Sequence, residues 1–230
     1  MRKLVPFLLL FAMLLSGCTV AGYYVLNLSE VERPHSTKER YGEQKIINFN
    51  ENDKTSYTYE DELIKISWHP KSYQFDFILE NKSDYSIKII WDDAAYVNTK
   101  GASGRVIHSG IKFPTRNYPQ PHTVVAKKTH LDDFLIPVEN IYLRYLGFDI
   151  KPEEEEIVLI NSKGQGYFNW NVKPIFPFYA IRKKQLEHLT KQYIGKTVQI
   201  LLPLQIQETV NDYIFTFDIS DFVIIKSWSE

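Results

Sequence analysis

Two stretches near the end of the chain alternate strictly between apolar and other residues. Val198, Ile200, Leu202, Leu204 and Ile206 form one set, and Tyr213, Phe215, Phe217 and Ile219 the other. A period of two places each set on one face of a β-strand, and Asn211-Asp212 between them predicts the turn of a hairpin. The same pattern recurs where Tyr73, Phe75, Phe77 and Leu79 alternate with Gln74, Asp76, Ile78 and Glu80. Asn81-Lys82-Ser83-Asp84 is turn chemistry, and Ile87 to Trp91 resumes an apolar run, so a second antiparallel hairpin is expected there. Shorter strands are expected at 63–68, which ends at His69-Pro70, and at 96–97, 123–125, 134–136, 141–146, 157–160 and 167–172. One segment departs from this rhythm. Residues 179–193 lack Gly and Pro and carry Tyr179, Leu186, Leu189 and Tyr193 at helical spacing, which predicts one short helix. Many short strands with turns about every ten residues predict a mainly β chain, an antiparallel β-sandwich.

Charge and cysteine content narrow the function. There are 27 Lys+Arg against 28 Asp+Glu, and a single cysteine, Cys18. So even a balance offers no basic footprint for nucleic acid. One cysteine makes no internal disulfide. Ahead of it stand the basic pair Arg2 and Lys3, an apolar run from Leu4 to Leu15, and the small residues Ser16 and Gly17. This is the layout of a secretory signal, too short to span a membrane.

The ending Leu14-Leu15-Ser16-Gly17-Cys18 resembles the lipobox of bacterial lipoproteins. The resemblance implies cleavage between Gly17 and Cys18, after the cysteine sulfur has received a diacylglycerol. It therefore implies a signal peptide over 1–17 and an acylated mature amino terminus. Because Arg2 and Lys3 leave with the signal, the mature net charge is about −3. A thioether at Cys18 leaves no free thiol, which excludes thiol catalysis and cysteine-ligated metal. Two or more acyl chains hold a protein stably at a bilayer where one is marginal. Thr19 is not the aspartate that retains such proteins at the inner membrane, which implies the outer membrane where the host has one. Residues 18–62 read as the lipidated terminus and a polar linker, with Tyr23 to Leu28 an edge strand or part of the tether and 29–62 rich in Glu, Lys, Asn, Ser and Thr, leaving the sandwich domain over 63–230.

The segment from Phe75 to Ser83, with Ile87-Lys88-Ile89 after its turn, resembles the strand-Asn-x-Ser-strand hairpin of late-embryogenesis-abundant type 2 domains and similar envelope lipoproteins. It implies an immunoglobulin-like topology and brings no catalytic residues with it.

Signals for chemistry are sparse. None of the six histidines stands at the spacing of a zinc pair on one element. His130-Leu131-Asp132-Asp133 comes nearest to a ligand cluster, with His130 and Asp132 on one side of an extended segment. Its other reading is a polar strand end facing water. Asp92-Asp93, after Trp91, offers carboxylates to a hard cation but lacks the spaced ligands of a calcium loop. Gly101-Ala102-Ser103-Gly104 has the wrong spacing for a nucleophile elbow, and Gly164-Gln165-Gly166 reads as a hairpin loop. In Tyr167-Phe168-Asn169-Trp170, alternation sets Phe168 and Trp170 opposite Tyr167: either that pair is core and Tyr167 faces solvent, or the pair is exposed and offers a stacking surface for a sugar or a partner. The lysines of the 182–191 stretch either meet anionic headgroups or form a solvated helix face. The expectation is an envelope lipoprotein held by its lipid, with a non-enzymatic binding or structural body facing a protein or glycan partner, no cofactor and no nucleic acid. The alternatives are a metal-assisted hydrolase using Asp92, Asp93, His130 or Asp132, and a carbohydrate-binding module.

Overall fold

A computed structural model describes residues 19–33, 42–51, 54–145, 148–149, 168–176, 181–182 and 191–225. The alternating stretches at the end of the chain form the hairpin β15 (Thr197–Ile206) and β16 (Thr209–Ile225). Their register sets Val198 against Phe217, Ile200 against Phe215 and Leu202 against Tyr213, all buried. The turn falls at Gln207-Glu208, not at Asn211-Asp212. Asn211 lies within β16 opposite Leu204, where its side-chain amide donates to the Leu204 and Thr209 carbonyls. Gln207 takes a left-handed backbone (φ 56°) that Asn or Gly would more usually supply, so turn-residue chemistry pointed to the wrong place.

On the other side of β16 runs β1 (Thr19–Glu32), with Tyr24 against Phe222, Leu26 against Ile219 and Leu28 against Phe217. Opposite this layer lie β2 (Lys45–Glu51), β3 (Lys54–Glu60), β4 (Ile64–Pro70) and β5 (Phe75–Asn81), joined antiparallel in sequence order. From β5 the ladder passes to β10 (His130–Pro137), β8 (Ser103–Ile107) and β7 (Ala95–Val97), which pairs with β15. The short strands β6 (Ile87–Ile89) and β9 (Thr123–Val125) extend the sheet beside β15, and β14 (Ile181–Arg182) lies at the outer edge of β1. The result is one antiparallel sheet of 13 strands, curled until it is nearly closed like a barrel. Where its ends approach, the Tyr57 hydroxyl donates to the Leu26 carbonyl, and the Asn48 amide donates to Leu28 O at 3.3 Å. A smaller sheet of β11 (Ile141–Tyr145), β12 (Phe148–Asp149) and β13 (Phe168–Val172) shares a second apolar cluster with the large sheet, built on Ile107 of β8, Ile136 of β10 and Ile141.

Aromatic rings bind the two walls. Trp68 packs on Phe215 and Phe217 at 5.1 and 6.0 Å between centroids, and Tyr59 on Tyr213 and Phe215 at 5.9 Å each. Burying side chains of this size is worth ~1.5–3 kcal/mol each, so this seam contributes several such increments to the core.

Two sequence expectations fail here. The stretch 18–62 is no linker over its described residues: it supplies β1, β2 and β3, and Leu26, Leu28, Val31, Tyr57 and Tyr59 lie in the core. Its inward residues alternate with Ser, Thr, Asn and Glu, so composition averaged over the stretch conceals them. The strands on either side of the Asn81–Asp84 turn do not pair with each other. β5 pairs with β4 and β10, whereas β6 pairs with β15 and β9, so the turn is an arch. Buried Asn81 holds that arch, donating to the carbonyls of Tyr85, Val125 and Ala126 while its own oxygen accepts from Ser83. Of the expected helix at 179–193, the described residues show helix at its end, while the pair Ile181–Arg182 is strand, taken up by the edge of β1 opposite Val20 and Thr19. Helical backbone is seen at 191–193, and 179–180 and 183–190 lie outside the described residues, as do 157–160 and 161–167.

A buried carboxylate closes the end of this structure. Asp61, in the β3–β4 turn, accepts from the backbone N–H of Leu63 and Ile64 at 2.8 and 2.9 Å and from the hydroxyls of Tyr59 and Tyr213 at 3.0 and 3.1 Å. Arg33, just past β1, stands 3.5 Å from it, and both side chains are buried. Removing one partner of a buried charge pair costs ~3–5 kcal/mol. Asp61→Ala is therefore expected to lower the unfolding free energy by that amount in urea titration. Tyr213→Phe, which removes one donor hydroxyl, should cost about 1 kcal/mol.

Candidate functional site

The clearest polar constellation is one that spacing did not indicate. His108 follows β8, its ring stacked on Trp91 with 4.3 Å between centroids and 5° between planes. Its Nδ1 lies 3.3 Å from Oδ2 of Asp133, which points inward from β10. Burial alone would push the Asp133 carboxyl up, but hydrogen bonds from His108 and from the N–H groups of Ser109 and Phe134 outweigh it and hold the group below the ordinary carboxylate range. Trp91 is fixed in turn by its indole N–H, donated to the Thr123 hydroxyl at 2.8 Å. An aspartate orienting an imidazole is half of a general-base arrangement. Here the other ring nitrogen, Nε2, is buried, so no substrate reaches it. The pair instead fastens the 108–110 turn across the end of β10.

The acidic residues singled out in the sequence are not brought together. Asp92 accepts from Arg105 Nη2 at 2.9 Å and from the Gln120 N–H at 3.0 Å, and Arg105 also donates to the carbonyls of Asn117 and Tyr118. Its carboxylate thus ties down the 117–120 loop. Asp93 is exposed beside it, and His130 and Asp132 are exposed on β10 opposite Glu80 and Ile78. Among the described residues, no group of three or more His, Cys, Asp or Glu is placed to hold a metal ion. Of the aromatic set, Tyr167 lies outside the described residues and Phe168 opens β13 in register with Tyr145. Trp170 is half-buried against the cluster around Ile107, Ile136 and Ile141, and the Arg116 guanidinium sits 4.6 Å over its ring. That ring face is occupied from within the chain.

Gly17 and Cys18 also lie outside the described residues, and a strand follows them directly. β1 starts at Thr19, the residue after Cys18, and runs out with β16 as a ribbon: Tyr23 stands opposite Val223 and Gly22 opposite Ile224. On the inward face, Tyr24 packs against Phe222, Tyr193 and Phe176 at 4.9, 5.3 and 5.7 Å between centroids. Burial, with Tyr193 beside it, pushes the Tyr24 hydroxyl up to about 12. Gly22 is required by this cluster, because a Cβ there would lie 2.4 Å from the Phe222 ring. Beyond the cluster the ribbon is apolar and open: Tyr23, Val223 and Ile224 are 40, 36 and 44 % exposed.

Comparisons of the chain with protein-family models, with curated proteins and with solved structures each find no match.

The His108–Asp133 pair carries a pH signature. A carboxyl held below its unfolded value of about 3.9 adds stability that is present above that pH and lost as pH falls through the lower, folded value. Asp133→Asn is expected to be less stable than the parent at neutral pH and to lose less on going from pH 5 to pH 3. Chemical denaturation across that range measures both.

Proposed function

We propose that this chain is the precursor of a bacterial lipoprotein: residues 1–17 are removed, Cys18 carries the lipid, and the β body is a non-enzymatic binding or structural module of the cell envelope. The observation that carries this reading is the run Leu14-Leu15-Ser16-Gly17-Cys18 behind Arg2, Lys3 and an apolar segment. With Thr19 after the lipid, the outer membrane is the expected destination in a host that has one. An immunoglobulin-like arrangement of the body is supported by the two facing walls and by the Asn81 arch, which carries the chain from one to the other. The binding role draws support from apolar side chains left in the open. Val210, Gln205, Lys88 and Val124 lie in register across four adjacent strands, with Val210 and Val124 exposed. The terminal strand β2 shows Ile47 and Phe49, a surface and an edge suited to a protein or glycan partner.

Two readings from other classes gain less. A metal-assisted hydrolase needs Asp92, Asp93, His130 or Asp132 to converge, and Asp92 is committed to Arg105 and Gln120. A carbohydrate-binding module needs open aromatic faces, and that of Trp170 is covered by Arg116.

Intact-mass analysis of the membrane-extracted protein tests the central claim. The expected species begins at Cys18 and carries a diacylglycerol thioether with further acylation. Cys18→Ala should abolish that modification and leave the chain unprocessed at Gly17. A mature form with an unmodified thiol, or one beginning elsewhere, overturns the proposal.

A further inference from the structure

We infer that the free end of the β1–β16 ribbon is a bilayer-contacting surface, which seats the body directly on an anionic lipid headgroup layer instead of letting it swing on a leash. This rests on the lipidation of Cys18. No length of loose chain separates that residue from the fold: Thr19 is already paired, with Arg182 on one side of the ribbon, and Ala21 is paired with Ile225 on the other. At about 3.3 Å per strand residue, Tyr23 lies at most ~17 Å from Cys18, so a tilted ribbon brings its tip onto the headgroups.

The surface changes character along the ribbon in the order such contact demands. Among the described side chains, the exposed ones nearest Cys18 along the ribbon are Tyr23, Val223 and Ile224, an aromatic and two aliphatics on both faces. One step further from the tip on the Tyr23 side, Val25 stands opposite Asp221, and beyond the bulge Asn27 stands opposite Asp218. The apolar zone thus ends where the carboxylates begin, and these would be repelled by anionic lipid. Tyrosine is a residue favoured at the membrane–water boundary. The sequence is basic next to the same end. Arg182 is in register with Thr19, Lys183 and Lys184 follow it in the chain, and Lys226 follows Ile225. Such clusters are attracted to anionic leaflets within a Debye length. In this reading the run Arg182-Lys183-Lys184 adds electrostatic attraction to the apolar contact.

The test uses the lipidated protein reconstituted in vesicles of phosphatidylethanolamine and phosphatidylglycerol. Since Cys18 is consumed as a thioether, Val223→Cys supplies the only free thiol for an environment-sensitive fluorophore. Glu208→Cys, at the opposite end of β16, is the control. The probe at 223 should shift to the blue and be quenched by spin-labelled lipids, and the probe at 208 should do neither. Joint reversal of Arg182, Lys183 and Lys184 to Glu should reduce the quenching at 223. Equal, water-like emission at both positions, with the lipid on Cys18 confirmed by mass, overturns this inference and leaves the lipoprotein reading intact. An unmodified Cys18 overturns both. A concentration-dependent blue shift at 223 in vesicle-free Cys18→Ser protein assigns the surface to a second copy of the chain and likewise overturns it.

Discussion

The carboxylate of Asp61 is the point on which the two walls of the sheet are fixed. Desolvating a lone carboxylate is costly, and the group stays ionised inside a protein only with donors on all sides. Asp61 gathers them from three places far apart in sequence: Arg33 at the end of β1, Leu63 and Ile64 with Tyr59 around its own turn, and Tyr213 on β16. Arg33 in turn donates to the Gly42 carbonyl at 2.6 Å, and Lys82 to the Asp61 carbonyl at 2.6 Å. Apolar packing between Trp68, Tyr59 and the rings of β16 would tolerate a slip of the walls by one ring. A carboxylate with directed partners does not, because each slip strands a buried donor. Hydrophobic contact supplies most of the stabilisation, and Asp61 selects the register.

That division explains which parts of the fold could be read from the sequence. Strands buried on one face announce themselves by alternation, as β5, β15 and β16 do, and their ladders place Phe75, Phe77, Leu79, Ile200 and Phe215 in the core as the pattern predicts. Partner choice is not local. Ile87 and Ile89 look like the return strand of β5, but the chain places them beside Leu204 and Ile206, 115 or more positions on. The turn at Gln207 was illegible because Gln is an unusual residue for a left-handed backbone, while Asn211, an ordinary turn residue, is used instead to bond the ladder. Residues 18–62 misled for a related reason: Tyr57 and Tyr59 are buried among Ser56, Thr58 and Glu60, which face outward.

The chemistry-bearing residues were legible only as types. Asp92 and Asp132 draw notice in the sequence because each has an acidic neighbour, yet Asp133 is the one turned inward to His108, and Asp92 serves Arg105. Which member of an Asp-Asp pair is buried depends on strand phase. The inward phase of β10 is set by Leu135 and Leu131, which have no acidic signal of their own. The partnership of His108 and Asp133 spans two strands, so no spacing rule could find it. Its stacking on Trp91 depends further on the turn that follows β6.

The strand that begins beside Cys18 links the first and last described stretches of the chain. β1 gains its hydrogen bonds mostly from β16, the last strand described, so chain closure joins residue 19 to the 181–182 segment and residue 21 to residue 225. A pull on Cys18 is carried directly into β16 and through it to β15, Tyr213 and Asp61, with no compliant segment between. Peeling the ribbon from its tip would break ladder hydrogen bonds a pair at a time, and the cluster of Tyr24, Phe222, Tyr193 and Phe176 stands in its way after the first few. Gly22 is what lets this cluster close, because a Cβ there would meet both the Phe222 ring and the Val223 carbonyl.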